Sequence, residues 1–205
     1  MNKPPKPYHH GDLHAAFLSA SEAILESEGI QALTVRAAAR AVGVSHTALQ
    51  NHFGDLSGLL SDLAGEGYRR FADAIAAAMV DAGADPKTRM RAMGHAYIGF
   101  ARAHPGLFTL MFRSERLDFT RPALRENADR ARQSLATAIA ARAGNQSLTP
   151  QDGISRAAAS WSLIHGFAVL MLDGRLRWMA SAMGDGIDEE DLLDGVFGQV
   201  EVGKA

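Results

Sequence analysis

The stretch from Thr34 to Phe53 constrains this chain more than any other. Thr34 stands at the cap position of a short helix, VRAAARA, and Val42-Gly43-Val44 forms the turn after it. Glycine at 43 allows a backbone reversal that a bulkier residue resists. Ser45 then stands at the cap of a second helix, HTALQNH. The spacing predicts helices over 34–41 and 45–52. Alanines at 37, 38 and 41 let the two approach closely at a steep angle. Two helices joined by a glycine-containing turn of three or four residues form the motif that lays its second helix in the DNA major groove.

The helical wheel sorts the second helix. Leu49 and Phe53 are four apart and point inward, whereas Thr47 and Asn51 point outward, flanked by His46, Ala48 and Gln50. Asn and Gln can pair with an adenine edge, and Thr can meet a thymine methyl or an acceptor. Backbone N–H groups beside Ser45 can hold a phosphate. The candidate DNA-contacting set is therefore Thr34, Arg36, Ser45, His46, Thr47, Gln50, Asn51 and His52. A helical hairpin with a solvated polar face that never touches DNA remains the alternative from pattern alone.

Overall charge does not argue for nucleic acid. The 205 residues carry a formal net charge of −2. Locally the balance reverses: Thr34–Phe53 holds Arg36 and Arg40 and no acidic residue, and His46 and His52 can add charge at lower pH. At 47% hydrophobic and 21% charged the chain can bury a sizeable core. It has no cysteine, which excludes disulfides and thiol catalysis. No apolar run nears the roughly 18 residues of a membrane span. Met1–Tyr8 is polar and proline-rich without a signal-peptide core, so a cytoplasmic location with no membrane partner is expected.

Every patterned segment reads as helix, which makes the class all-α with about nine helices. Residues 12–28 carry Leu13, Phe17, Ala20 and Ile24 as one stripe, with Asp12 as cap and Gly29 as a left-handed stop. A helix over about 56–80 follows, then an interruption at Gly83 and Pro86. Helices are expected over 87–104, Pro105–Phe112, Pro122–Ala143, 150–172 and about 188–201, with 113–121 a loop. Thr149-Pro150-x-Asp152 is a helix start. The acidic run Asp188–Asp191 suits a helix N-terminus. The expected organisation is a three-helix DNA-binding domain over 1–55 and a helical ligand-binding and dimerisation domain over 56–205.

In the second domain, residues 150–172 are apolar nearly all round. A helix of that kind is buried on every side, and a second subunit is the simplest cover. The candidate dimer interface is Leu163, Phe167, Leu170 and Met171 with Leu193, Val196, Phe197 and Val200 of the last helix. Candidate lining for a small apolar or amphipathic ligand is Met93, Tyr97, Phe100, His104, Phe108, Met111, Phe112, Trp161 and His165, an apolar set with a few polar tips. Core packing is the competing explanation for each single Met or Phe, and His165 can equally be a satisfied core histidine.

Several motifs together resemble the TetR family of bacterial transcriptional regulators. They are Glu28-Gly29, Leu33-Thr34-Val35-Arg36, Ala39–Gly43-Val44-Ser45, His52-Phe53 and Leu59-Leu60, within Tyr8–Ala74. Trp161, His165 and Gly166 are similar to the Trp…His-Gly signature of one type of TetR C-terminal domain, and Tyr8–Leu13 is similar to the start of that subgroup. The resemblance implies an all-helical homodimer, usually a repressor, released from a palindromic operator by a small molecule. The chain departs from the pattern twice. Gln50 stands where a tyrosine is usual, and Leu56 where a phosphate-touching lysine is usual. Lys3 and Lys6 could supply replacement charge.

Catalysis has little support: there is no glycine-rich phosphate loop and no nucleophile–base–acid pattern. The alternative to a regulator is a small-molecule-binding protein or enzyme using Tyr97, His104 and His165. His10 and His14 have a metal-compatible spacing, yet no carboxylate or cysteine completes a site in sequence. Neither a metal nor a cofactor is expected.

Overall fold

A computed structural model describes residues 10–112, 114–143, 149–183 and 188–202. Among these the chain is all-α, with ten α-helices and one 3₁₀ turn. The helices are α1 (His10–Glu28), α2 (Val35–Val42), α3 (His46–Phe53), α4 (Leu56–Asp81), α5 (Pro86–Ala103), α6 (Pro105–Met111), α7 (Pro122–Ala143), α8 (Pro150–Leu172), α9 (Arg175–Met183) and α10 (Glu189–Val202); the 3₁₀ turn is Ser114–Arg116. Helix α9 was not foreseen. At nine residues it is too short to show a clear apolar period, and Asp173-Gly174 ahead of it reads as a stop. Among the described residues no single helix is long and apolar enough to cross a membrane.

The chain divides into two compact units, one of residues up to Arg69 plus Gly106–Ala128, the other of Arg70–Pro105 plus residues from Asp129 onward.

The first unit is built around Phe17, Leu25, Leu33, Leu49, Leu59, Leu63, Leu107, Phe108, Met111 and Leu124, all buried. Phe17 and Leu25 lie two turns apart on α1, Leu59 and Leu63 one turn apart on α4, and Leu107 and Met111 one turn apart on α6, so apolar stripes of three helices contribute to this core. Glu26 of α1 accepts hydrogen bonds from the Gly106 and Leu107 N–H groups at 2.8 and 2.9 Å, capping α6. The Tyr68 hydroxyl donates to the Met111 carbonyl at 2.8 Å.

In the second unit α5 packs along α8, and α9 contacts both α8 and α10. Its core includes Phe71, Ile75, Tyr97, Phe100, Ala101, Ile139, Ala168, Met171 and Leu193. Asp85 caps α5 by accepting from Thr88 N–H at 2.8 Å, ahead of Pro86 at the first helical position. Thr149 caps α8 as expected, accepting from Asp152 N–H at 3.1 Å. The Phe197 ring of α10 lies on Gly94 of α5, where any Cβ would overlap it. Asp194 receives Arg91 at 2.9 Å and His95 at 3.0 Å, which joins the same two helices.

Candidate nucleic-acid interface

The turn between α2 and α3 forms as its residues dictate. Thr34 has extended backbone angles and its hydroxyl accepts from Ala37 N–H at 3.1 Å. At the other end Gly43 is left-handed, with φ of 78°. The Gly43 N–H donates to Arg40 O, and the Val44 N–H donates to Ala39 O. These two bonds satisfy carbonyls that a helix end leaves orphaned. Ala38 and Ala39 are the buried alanines, and Ala41 is exposed, so the close approach to neighbouring helices uses 38 and 39. Ser45 occupies the cap position of α3 in extended geometry, but its hydroxyl makes no capping bond.

Helix α3 is anchored on one side only. Leu49 and Phe53 are buried, while His46, Thr47, Gln50 and Asn51 are exposed along with Ser45, Thr34 and Arg36. Ala48 is half-buried. His52, also a DNA-contact candidate, is half-buried as well. Its ring tilts against Phe17 at 6.5 Å and Phe53 at 6.3 Å, since 52 lies one turn beyond Ala48 at the edge of the core. Leu56 is half-buried at the start of α4, whose first turn is capped by Asp55 accepting from Gly58 N–H at 2.8 Å. Lys3 and Lys6 lie outside the described residues, as do the side chains of His10 and Asp12.

Sequence reasoning missed the residues behind α3. His14 of α1 is no free surface histidine: its ring stacks on Phe53 with centroids 4.6 Å apart, and Nε2 lies 3.2 Å from Asp62 Oδ2. Asp62 of α4 also receives both arms of Arg121, Nε at 2.7 Å and Nη2 at 2.9 Å. Asp62 holds the Arg121 guanidinium protonated still more firmly than usual. These partners are 48 and 59 residues apart in sequence, and no local pattern could pair them.

The nine candidate ligand residues fall into two groups. Phe108, Met111 and Phe112 belong to the first unit, where Phe112 meets Phe108 at 4.8 Å and Tyr68 at 6.0 Å. The other six belong to the second unit. There Tyr97 Oη and His165 Nδ1 share a hydrogen bond of 2.9 Å, and Trp161 lies 5.8 Å from the His165 ring. Phe71, which was not among the candidates, meets Tyr97 edge-on at 5.0 Å and Phe100 at 5.3 Å. His104 packs on Phe100 at 5.0 Å, and Met93 is buried. Burial lowers the His165 pKa. A groove of ≈ 540 Å³ in this unit is lined by Asp81, Thr88, Arg91 and His95 over an alanine floor, and by none of the nine.

The candidate dimer residues also divide. Leu163 and Leu170 are exposed on α8, beside exposed Ile154, Trp161 and Val169. Phe167, Met171 and Leu193 are buried within their own chain and therefore lie behind that face. Val196 and Phe197 are half-buried, and the side chain of Val200 is outside the described residues.

Residues 90–189 match the family model described as Tetracyclin repressor-like, C-terminal domain. No curated protein matches the sequence. Among solved structures, a protein of unknown function from Rhodococcus sp. RHA1 is similar at 28% identity and a TM-score of 0.78, over 95% of this chain and 96% of that one. A TetR family transcription regulator from Marinobacter aquaeolei VT8 is similar at 21% identity and 0.63, over 91% and 94%. A bacterial regulatory protein in the TetR family from Rhodococcus RHA1 is similar at 20% identity and 0.64, over 91% and 94%. A Tetracyclin repressor-like C-terminal domain thus stands behind a helix-turn-helix, and the chain has the fold of these structures.

Proposed function

We propose that this chain is a ligand-responsive transcription regulator that binds a palindromic operator as a dimer. It acts as a repressor and is released by a small apolar or amphipathic molecule. One observation carries the reading: α3 is pinned by Leu49 and Phe53 while His46, Thr47, Gln50 and Asn51 stay exposed with no acidic residue between Thr34 and Phe53. That is a base-reading face on a locally basic element. Residues 1–55 serve as the DNA-binding part and 56–205 as the ligand and dimer part, and the protein works in the cytoplasm, where the DNA is.

Two further features support the reading. Ile154, Leu163, Val169 and Leu170 of α8 present apolar surface that a second copy would cover, and two-fold DNA sites call for two copies. The aromatic set around Tyr97 and His165 offers an apolar wall with two polar tips for a ligand. The chain binds its ligand without turning it over.

The test is selection of bound duplexes from random DNA, followed by gel shift across a salt series. A palindromic site whose affinity falls steeply with salt is the expected result. Failure to retain any duplex would sink the reading.

A further inference from the structure

We propose that Arg121, in the turn ahead of α7, is a positioning residue for the recognition helix: paired with Asp62 and seated beside the Phe53 carbonyl, it sets how α3 stands on α4. The proposal rests on reading α3 as the DNA-contacting element.

Three observations converge. The first is a chain of contacts. Arg121 grips Asp62 with two parallel bonds of 2.7 and 2.9 Å, Asp62 holds His14 at 3.2 Å, and the His14 ring lies flat on Phe53 at 4.6 Å. Phe53 is the last residue of α3, and Phe17 meets it edge-on at 5.6 Å. A two-pronged guanidinium–carboxylate pair fixes direction as well as distance. It therefore orients Asp62, and through His14 the ring that anchors α3.

The second is the space over Gly58. A Cβ there would overlap the Phe53 carbonyl oxygen and would lie 3.2 Å from Arg121 Nη1. The end of α3 and the guanidinium thus share one notch on α4, open only because residue 58 has no side chain. A cation beside the last carbonyls of a helix is favoured by the helix dipole.

The third is the way the turn is fastened. Asp118 N–H donates to the Ser61 hydroxyl at 2.8 Å, and the Ser57 hydroxyl donates to Arg116 O at 3.4 Å. The Asp118 carboxylate accepts from Thr120 N–H and Oγ1 at 2.9 and 2.6 Å, which holds its pKa below the usual range. Residues 57, 58, 61 and 62 form one strip on α4. The turn is stitched along that strip, so a displacement of the turn breaks the Arg121–Asp62 pair and frees the end of α3.

The test uses the full chain with Arg121→Ala, Arg121→Lys, the single reversals Arg121→Asp and Asp62→Arg, and the swapped pair Arg121→Asp/Asp62→Arg. Hydrogen exchange of the α3 amides in the free protein is the first readout. Arg121→Ala is expected to speed exchange of Leu49–Phe53 about tenfold, with α8 unchanged. The second readout is affinity for the selected duplex. It is expected to fall about tenfold for Arg121→Ala, equally for all base variants and with an unchanged salt slope, because no phosphate contact is lost. Lysine, which cannot fork, should recover only part, and the swapped pair should recover more than either single reversal. Wild-type exchange in Arg121→Ala overturns the proposal, and so does a swapped pair no better than the singles. A salt slope that drops by about one unit also overturns it, since Arg121 then touches phosphate itself. If the wild type binds no duplex, the DNA reading falls while the exchange data still decide the role of Arg121.

Discussion

Tyr97 and His165 share a hydrogen bond of 2.9 Å that ties α5 to α8. Trp161 and Phe71 flank the pair at 5.8 Å from His165 and 5.0 Å from Tyr97. Burial favours the uncharged imidazole and pushes the His165 pKa below 6.5. The unfolded chain therefore takes up a proton on His165 at a higher pH than the folded chain does. The stability associated with neutral His165 is complete above about 6.5 and is lost as pH falls from there through the folded value.

Urea unfolding midpoints should thus fall between pH 7.5 and pH 5.5 by more in the wild type than in His165→Gln. Equal falls in the two proteins would assign the acid sensitivity to other groups.

The α8 face gives a prediction about assembly. Leu170 is exposed in the single chain, whereas Leu193 is buried. Leu170→Glu should leave the fold intact and convert a dimer to a monomer in sedimentation. Leu193→Ala should instead cost about 2–5 kcal/mol of folding stability through the cavity it leaves. A Leu170→Glu protein that still sediments as a dimer would remove α8 from the interface.

What was legible in the sequence follows from the range of each interaction. The Thr34 cap, the Gly43 turn, the inward pair Leu49/Phe53 and the helix start at Thr149 are set by neighbours within a turn or two, and each is found where the spacing puts it. Helix α9 lacked the length to show a period. Leu193 was placed on a dimer face but is buried in its own chain, because a wheel gives the direction of a side chain and not what stands opposite it. Met111 and Tyr97 have equal claims on a ligand from composition, yet they belong to different units. The Arg121–Asp62–His14–Phe53 relay was invisible because each of its links to Asp62 spans nearly fifty residues or more.

The first turn of α2 can be tested without DNA. Thr34→Ala removes the acceptor for Ala37 N–H and should cost about 1 kcal/mol, whereas Thr34→Ser should stay close to wild type. Denaturant titration reads both. An alanine variant as stable as wild type would mean that water replaces the cap without loss.

The sorting of α3 gives the sharpest prediction. Thr47, Gln50 and Asn51 are exposed and carry groups that match base edges, so Thr47→Ala and Asn51→Ala should each relax the preference at one position of the selected site. A good pair of hydrogen bonds to one base discriminates by about 1–3 kcal/mol, so the relaxation should be about tenfold or more. Arg36 is exposed on α2 and should act on phosphate. Arg36→Ala should therefore weaken all sequences alike and reduce the salt slope by about one. Gln50 decides between two roles. If it reads a base, Gln50→Ala changes the preference; if it only fills the place of a phosphate contact, Gln50→Tyr tightens binding on every sequence. Competition gel shifts on single-base variants of the site, repeated at two salt concentrations, separate these outcomes. Uniform losses for Thr47, Asn51 and Arg36 alike would refute the division into base-reading and phosphate-holding residues.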